Sequence, residues 1–394
     1  MKKHNTMLLA AVAAIALAVS TASVSTTANA ASKITTCSTK AAKSSNKVIA
    51  QAQAELIKAA SPSTKWDGPT TGATAQKAGG TVVVIPSVAT NEGDSSVFAG
   101  FKQAATAIGW TVKTIDGGGT AANNLAAFEQ ALALKPIGIL VSSMDPKAMA
   151  PAFAKAKAAG IPVVANHTGW YAGPSTASPD LFTNITSDPA TIAKIAADCA
   201  IVASNGKAQV SISSCGNELS ICVTKEDSIE ATIKKAAATG SKVLVKHYYP
   251  FEDHPQREGG FAAADFQKFG KTLNFRLSVN DGYADASIPN LKALGVTPAG
   301  PPLFIAAGDG SVVAFKRIRA GQFQIATVAE PLNLHGWQMA DELNRALAGK
   351  APSTYVTYPH ITTIENVDQE GGKNNTYDPS NGYQAAYKKI WGVK

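Results

Sequence analysis

The chain has 394 residues, 45% of them hydrophobic, and a formal charge of +8. That length suits more than one domain, and that hydrophobic share is ordinary for a globular chain with a large core. The positive balance does not single out nucleic acid or a membrane surface, because the cations are scattered; the densest group, Lys316-Arg317-Ile318-Arg319, falls near the end of a predicted helix, where cations complement the helix dipole.

The chain opens Met-Lys-Lys-His, continues with the apolar run LLAAVAAIALAV at 8–19, and reaches Ala28-Asn29-Ala30. A basic start, a short apolar run and an A-x-A site predict a cleaved export signal over 1–30. The run is too short for a bilayer span, which needs about 20 residues. Removing Lys2 and Lys3 with the signal lowers the charge from +8 to +6. Residues 31–79 read as an arm and linker: 48–60 has the pattern of one helix, and 61–80 is rich in Pro, Gly and Thr.

A βα rhythm begins at Thr81. TVVVIP at 81–86 is a short β-branched run, 95–109 has helical spacing with Phe98, Phe101 and Ala105 on one face, and 110–115 reads as a strand. Helix, strand, helix and strand follow at 120–134, 138–141, 146–159 and 162–165, and a further strand at 181–185. The rhythm restarts with helices predicted at 189–204, 225–238, 261–269, 284–294 and 312–320. Strands lie between them at 208–212, 242–248, 275–279, 303–306 and 323–328. A last helix at 337–348 precedes an extended stretch at 354–364, and the tail ends in a predicted helix carrying Tyr383, Tyr387 and Trp391. Apolar runs alternating with helices predict parallel sheets buried on both faces, here two α/β units in series. In such sheets ligands lie beyond the carboxyl ends of the strands, so the loops starting at Ser87, Asp116, Ser142, Asn166, Ser213, Tyr249, Asn280 and Ala307 are the candidates.

The four cysteines, Cys37, Cys199, Cys215 and Cys222, allow three disulfide connectivities. Cys215 and Cys222 flank a short loop and are the favoured pair, which leaves Cys37 with Cys199. No G-x-S-x-G, H-E-x-x-H, P-loop or G-x-G-x-x-G occurs, and the six histidines lack metal-ligand spacing. No enzyme activity, cofactor or metal is expected.

TVVVIPSVATN at the first strand, FEQALALKPIGILVSSMDPKAMAPAFAKAKAAGIPVV, NITSDP, LSVNDGYADA and AAGDG followed by FQIATVAEP occur in an order and spacing that resembles the ribose/galactose-type periplasmic binding proteins of ABC importers, over about 81–365. The resemblance implies a type I fold of two similar parallel-sheet α/β lobes joined by three crossings, near 183–188, 330–331 and 361–365. It implies lobe one at 80–184 plus 331–362, lobe two at 185–330, and a tail at 363–394. It also implies an exported, monomeric solute receptor that closes on a small polar ligand and meets a membrane permease, with no nucleic-acid partner. The alternatives are a receptor feeding a membrane sensor and a secreted hydrolase using two cleft carboxylates.

Family binding positions fall on Ser87 and Asn91 after the first strand, on His167 and Thr168 in place of an Asp-Arg pair, and on Lys225 in place of an arginine. They fall also on Asn280, on Asp309 and on Glu330, the last in place of a glutamine. The family's two adjacent phenylalanines of the first loop are Gly93 and Asp94 here, so ribose itself is not the expected ligand. Trp170, Tyr171, Tyr249 or Phe251 is expected to supply the missing wall. Asn280 could instead cap the next helix, Asp309 could serve a turn, Lys225 could be a solvated helix residue, and His167, Trp170 and Tyr171 could simply pack together.

Overall fold

A computed structural model describes residues 35–40, 44–216 and 219–394, with only the backbone of Phe251. The predicted export signal lies outside the described residues. Where they are described, no helix is long and apolar enough to cross a membrane.

The first sheet holds β1 (Thr81–Pro86), β2 (Thr111–Thr114), β3 (Gly138–Ser142), β4 (Val163–Asn166) and β5 (Thr183–Ile185) in the order β2-β1-β3-β4-β5. All its pairings are parallel. The second holds β6 (Gln209–Ser214), β7 (Lys242–Tyr248), β8 (Phe275–Ser278), β9 (Leu303–Ala306), β10 (Gln324–Ala329) and β11 (His360–Thr363) in the order β11-β10-β9-β8-β6-β7. It is parallel except for β11, which runs antiparallel to β10. Every residue of β3, β4, β8, β9 and β10 is buried, as expected of central strands covered by helices on both faces.

Strand order reverses between β1 and β3 in one sheet and between β6 and β8 in the other, so each lobe has its ligand-accepting crevice at those loops. In the first lobe α2 (Glu92–Ile108) begins at such a loop. In the second, α6 (Ser220–Lys235) and α8 (Gly282–Ala293) do. The chain leaves the first sheet after β5 and enters α5 (Pro189–Ala203), which packs on α6 and β10. It returns after β10 into α10 (Leu332–Leu347), which packs on α2 and β4.

The extended stretch after α10 was expected to stay in lobe one through residue 362. Instead β11 pairs with β10, with Val328 opposite Ile361 and Ala329 opposite His360. The free edge of β10 supplies a row of backbone partners that the first sheet does not offer there.

The arm and tail also pack more closely than their composition suggests. Helix α1 (Lys47–Ala59) buries Ala52, Leu56 and Ala59 in the core around α5, and Cys37 is linked to Cys199. The following segment then reaches lobe one. Trp66 packs against Tyr355 and Tyr387, Asn344 donates to the carbonyl of Ala73 (2.9 Å), and Trp110 donates to that of Gln76 (2.8 Å). The tail ends in α11 (Tyr383–Trp391), whose Trp391 stacks on Trp337 at 5.6 Å and donates to Asp341 (2.8 Å). Arm and tail thus add two passages between the lobes.

Candidate functional site

The loops at the two reversal points face each other across the interlobe cleft. An inner cavity of about 40 Å3 is lined from lobe one by Asn91, Ser143 and His167. From lobe two it is lined by Leu219, Ile221, Cys222, Lys225, Val279, Asn280 and Asp309. A larger cavity of about 730 Å3 continues outward past Asn91, Glu92, Asp116, Glu252, His254, Asn280, Asp285 and Asp309. The lobes touch across the cleft: the Glu92 carboxylate, at the start of α2, accepts from the backbone N–H of Val312 (2.8 Å). Val312 opens α9 (Val312–Ala320) on the other lobe, so a carboxylate of one lobe caps a helix N-terminus of the other.

Each lining side chain is held by its own lobe. Asn91 caps α2 through Oδ1, which accepts from Asp94 N (3.1 Å). Asn280 Oδ1 accepts from Gly282 N (3.0 Å), so the turn uses its carbonyl while the residue lines both cavities. The Asp309 turn is fixed from beneath by buried Asp281, which accepts from Gly310 N and Ser311 N, both at 2.9 Å, and from Gln324 Nε2 (2.6 Å). Lys225 is 4% exposed and donates to the carbonyl of Val279 (3.1 Å), which rules out a solvated helix position. The Cys215–Cys222 disulfide holds the start of α6 so that Leu219, Ile221 and Cys222 form the apolar side of the inner cavity.

Charges converge at the base of the cleft. His167 Nε2 lies 3.1 Å from Glu330 Oε1, and Glu330 Oε2 accepts from Ser187 N (2.9 Å). Burial acts to raise the Glu330 carboxyl, but His167 and Lys225 outweigh it and hold Glu330 well below the usual carboxylate range. Burial acts to lower His167, and the charges of Glu330 and Asp309 reverse that and raise it. Burial raises Asp309 despite Lys225 and His167, and it takes His335 down to about 4.

A family description, "Periplasmic binding protein domain", matches residues 82–351. The chain belongs to the periplasmic binding protein family. Solved structures share the fold at low identity. An ABC transporter solute-binding protein from Agrobacterium vitis with bound α-D-tagatopyranose is 18% identical, with a TM-score of 0.67 over 75% of this chain and 99% of that one. One from Bacillus halodurans with bound myo-inositol is 15% identical, with a TM-score of 0.63 over 76% and 100%. A periplasmic ribose ABC transporter structure from Conexibacter woesei is 18% identical, with a TM-score of 0.61 over 76% and 96%. No match was found among curated proteins.

In this periplasmic binding protein Asn91, His167, Lys225, Asn280 and Asp309 meet at the inner cavity, and Glu330 lies behind His167. Ser87 lines a side cavity beside Asn124, whose amide it accepts (3.1 Å). Four further expected site residues lie away from the inner cavity. Asp94 is fully buried and accepts from Ser142 (2.6 Å) and Ser143 (2.7 Å), tying the first loop to the end of β3. Thr168 is fully buried, donating its N–H to Asn184 (3.0 Å) and its hydroxyl to the carbonyl of Asn166 (3.0 Å). Trp170 is 54% exposed, and neither it nor Tyr171 lines a cleft cavity.

Their loop is folded back on lobe one by the Gly173–Asn184 bridge and by Asn184 donating to the carbonyl of Tyr171 (2.5 Å). Tyr249 is likewise buried, donating to Glu258 and packing with Tyr283. Among the described side chains, the apolar lining of the inner cavity is aliphatic, from Leu219, Ile221 and Val279, while the side chain of Phe251 lies outside the described residues. Trp170→Ala should therefore change ligand affinity by no more than about twofold, since exposed substitutions away from a site stay near ±0.5 kcal/mol; isothermal titration calorimetry checks it.

Proposed function

We propose that this protein captures a sugar, polyol or similar small polar ligand between its lobes by hinge closure and presents it to the membrane permease of an ABC importer. The observation that carries this reading is the inner cavity, which at about 40 Å3 holds only part of such a ligand and shares Asn91, Asn280 and Asp309 with the outer cavity of about 730 Å3 that has room for the rest. The inner cavity draws Asn91 and His167 from one lobe and Lys225, Asn280 and Asp309 from the other, beside an apolar wall. Carboxylates accept from hydroxyls, Asn donates and accepts, and Lys donates, which suits a polyhydroxy ligand with apolar ring faces. The structural neighbours with bound tagatopyranose and myo-inositol support that ligand class. Export to the periplasm is supported by the family, by the two disulfides and by the sequence of residues 1–30. The family and its solved solute-binding neighbours favour capture over the hydrolase alternative.

A thermal-shift screen over ribose, tagatose, inositols, polyols and amines tests the reading. A ligand at 100 times its Kd should add about 2.7 kcal/mol of stability. With the best stabiliser, Asn280→Ala and Asp309→Ala should each cost about 1–3 kcal/mol of binding while the circular dichroism is retained. Unchanged affinity in both would reject the site.

Closure is expected to depend on the Glu92 contact. Glu92→Ala removes a charged cap worth about 0.5–2 kcal/mol. Ligand dissociation should accelerate by roughly 2- to 30-fold with little change in association, because interface changes act mainly on off-rates. Stopped-flow fluorescence separates the two rates.

A further inference from the structure

Behind the inner cavity, three elements bring together donors that the capture of a polar ligand does not require. His167 follows β4, Glu330 sits where the chain crosses from β10, and His335 lies on the first turn of α10. One donor atom from each lies within 4.8 Å of those of the other two, and all three residues are buried, at 6%, 1% and 0% exposure. His167 Nε2, Glu330 Oε1 and His335 Nδ1 are each buried without a hydrogen-bond partner. His167 Nε2 and Glu330 Oε1 approach to 3.1 Å without an aligned hydrogen bond. His335 Nδ1 has no partner at all and the facing His167–Glu330 pair is not aligned as a hydrogen bond, and native structures seldom leave buried polar groups so poorly satisfied.

The remaining atoms of the cluster are anchored in the way metal ligands are. His335 Nε2 is bonded to Thr357 Oγ1 (2.7 Å), which in turn pairs with Ser187 Oγ (2.7 Å). Glu330 Oε2 is fixed by Ser187 N. An imidazole held through one nitrogen turns the lone pair of the other toward the cluster. With bonds of about 2.1 Å, two ligands of one ion stand about 3.0–3.4 Å apart, and His167 and Glu330 already do.

We propose that His167, Glu330 and His335 form a site for one divalent cation of the zinc class at the base of the interlobe cleft. Two imidazoles and a carboxylate suit a borderline ion better than the hard cations, which prefer oxygen ligands alone. Because His167 lines the inner cavity, a water or a ligand hydroxyl there completes the coordination. Lys225 opposes a cation from lobe two and limits its affinity; it faces Asp309 as well as Glu330, so it is also part of the polar-ligand site.

The test is run without sugar, so its outcome is separate from the capture reading. Protein purified from the periplasm is stripped with EDTA, dialysed, and titrated with Zn2+ and Co2+. The expected result is one equivalent bound, with the visible absorption of imidazole-ligated, low-coordinate Co2+. His335→Ala should lose the equivalent and the absorption. Thr357→Val, which removes only the bond that orients His335, should weaken the ion by about 10- to 100-fold. Lys225→Met should tighten it. Wild-type protein that takes up no stoichiometric ion, or a His335→Ala variant that keeps both the ion and the spectrum, overturns the proposal. Should His335→Ala not fold, Thr357→Val and the wild-type spectrum decide it: an unchanged affinity, or an absorption typical of six-coordinate Co2+, counts against the site.

Discussion

Lys225→Met is expected to weaken ligand binding by roughly 30- to 5000-fold. Lys225 is buried on α6, with Asp309 and Glu330 as its charged neighbours and the Val279 carbonyl as its acceptor. Methionine matches its stem but removes the ammonium, leaving two buried carboxylates with His167 as their remaining nearby cation. Truncating one partner of a buried, hydrogen-bonded charge group costs about 2–5 kcal/mol, largely through the charge left behind. Burial already raises Asp309, and without Lys225 it should rise further. Arginine is not a substitute: an ideal Cβ placed on Gly308 would sit 2.8 Å from Lys225 Nζ, so the wall is tight where a guanidinium would spread. Calorimetry with the strongest stabiliser from the sugar and polyol screen gives the affinity, and thermal melting controls for folding. A change below about threefold in a folded variant would remove Lys225 from the site.

The parts of the structure that were legible in the sequence are those set by short-range pattern. The central strands are buried on both faces, so TVVVIP, GILVS and QIATVA appear as apolar runs between helices, and strand-to-helix loops follow from them. The resemblance to the binding-protein family then singled out Asn91, His167, Lys225, Asn280 and Asp309 as positions at the cleft. Side chains whose direction depends on distant partners were not legible. Asp94 turns inward because Ser142 and Ser143, 48 and 49 residues away, bond it. Trp170 turns outward because Asn184 staples its loop. His335 sits in a helix buried almost all round, where the pattern LNLHGWQM gives no face to read. The apolar wall from Leu219 and Ile221 depends on where the Cys215–Cys222 link holds the start of α6, and the contribution of the arm depends on a link spanning 162 residues.

Replacing both Cys37 and Cys199 with alanine is expected to lower the stability by about 3–5 kcal/mol. Both cysteines are fully buried, and alanine keeps the site apolar, so the change isolates the cross-link from its surroundings. A link across 162 residues restricts the unfolded chain strongly; the chain-entropy relation gives about 5 kcal/mol, and measured losses run from about 2 to 5. At roughly 2 °C per kcal/mol for a large domain, the melting temperature should fall by about 6–10 °C. The loss should concentrate in the arm. Without the link, α1 stays on lobe two through Ala52, Leu56 and Ala59, and through the contacts that Ser38 and Thr39 make with Glu365. Those side-chain contacts are part-buried and hold one short segment, so limited trypsin treatment should cut at Lys58 or Lys65 while the lobes survive. The reductant-treated wild type should behave as the variant does once Cys37–Cys199 is opened, whereas Cys215→Ala with Cys222→Ala should spare the arm and instead loosen the Leu219 and Ile221 wall. A double Cys37/Cys199 variant that melts within about 2 °C of wild type and resists cleavage in the arm would show that packing alone, not the cross-link, fixes the arm across the lobes.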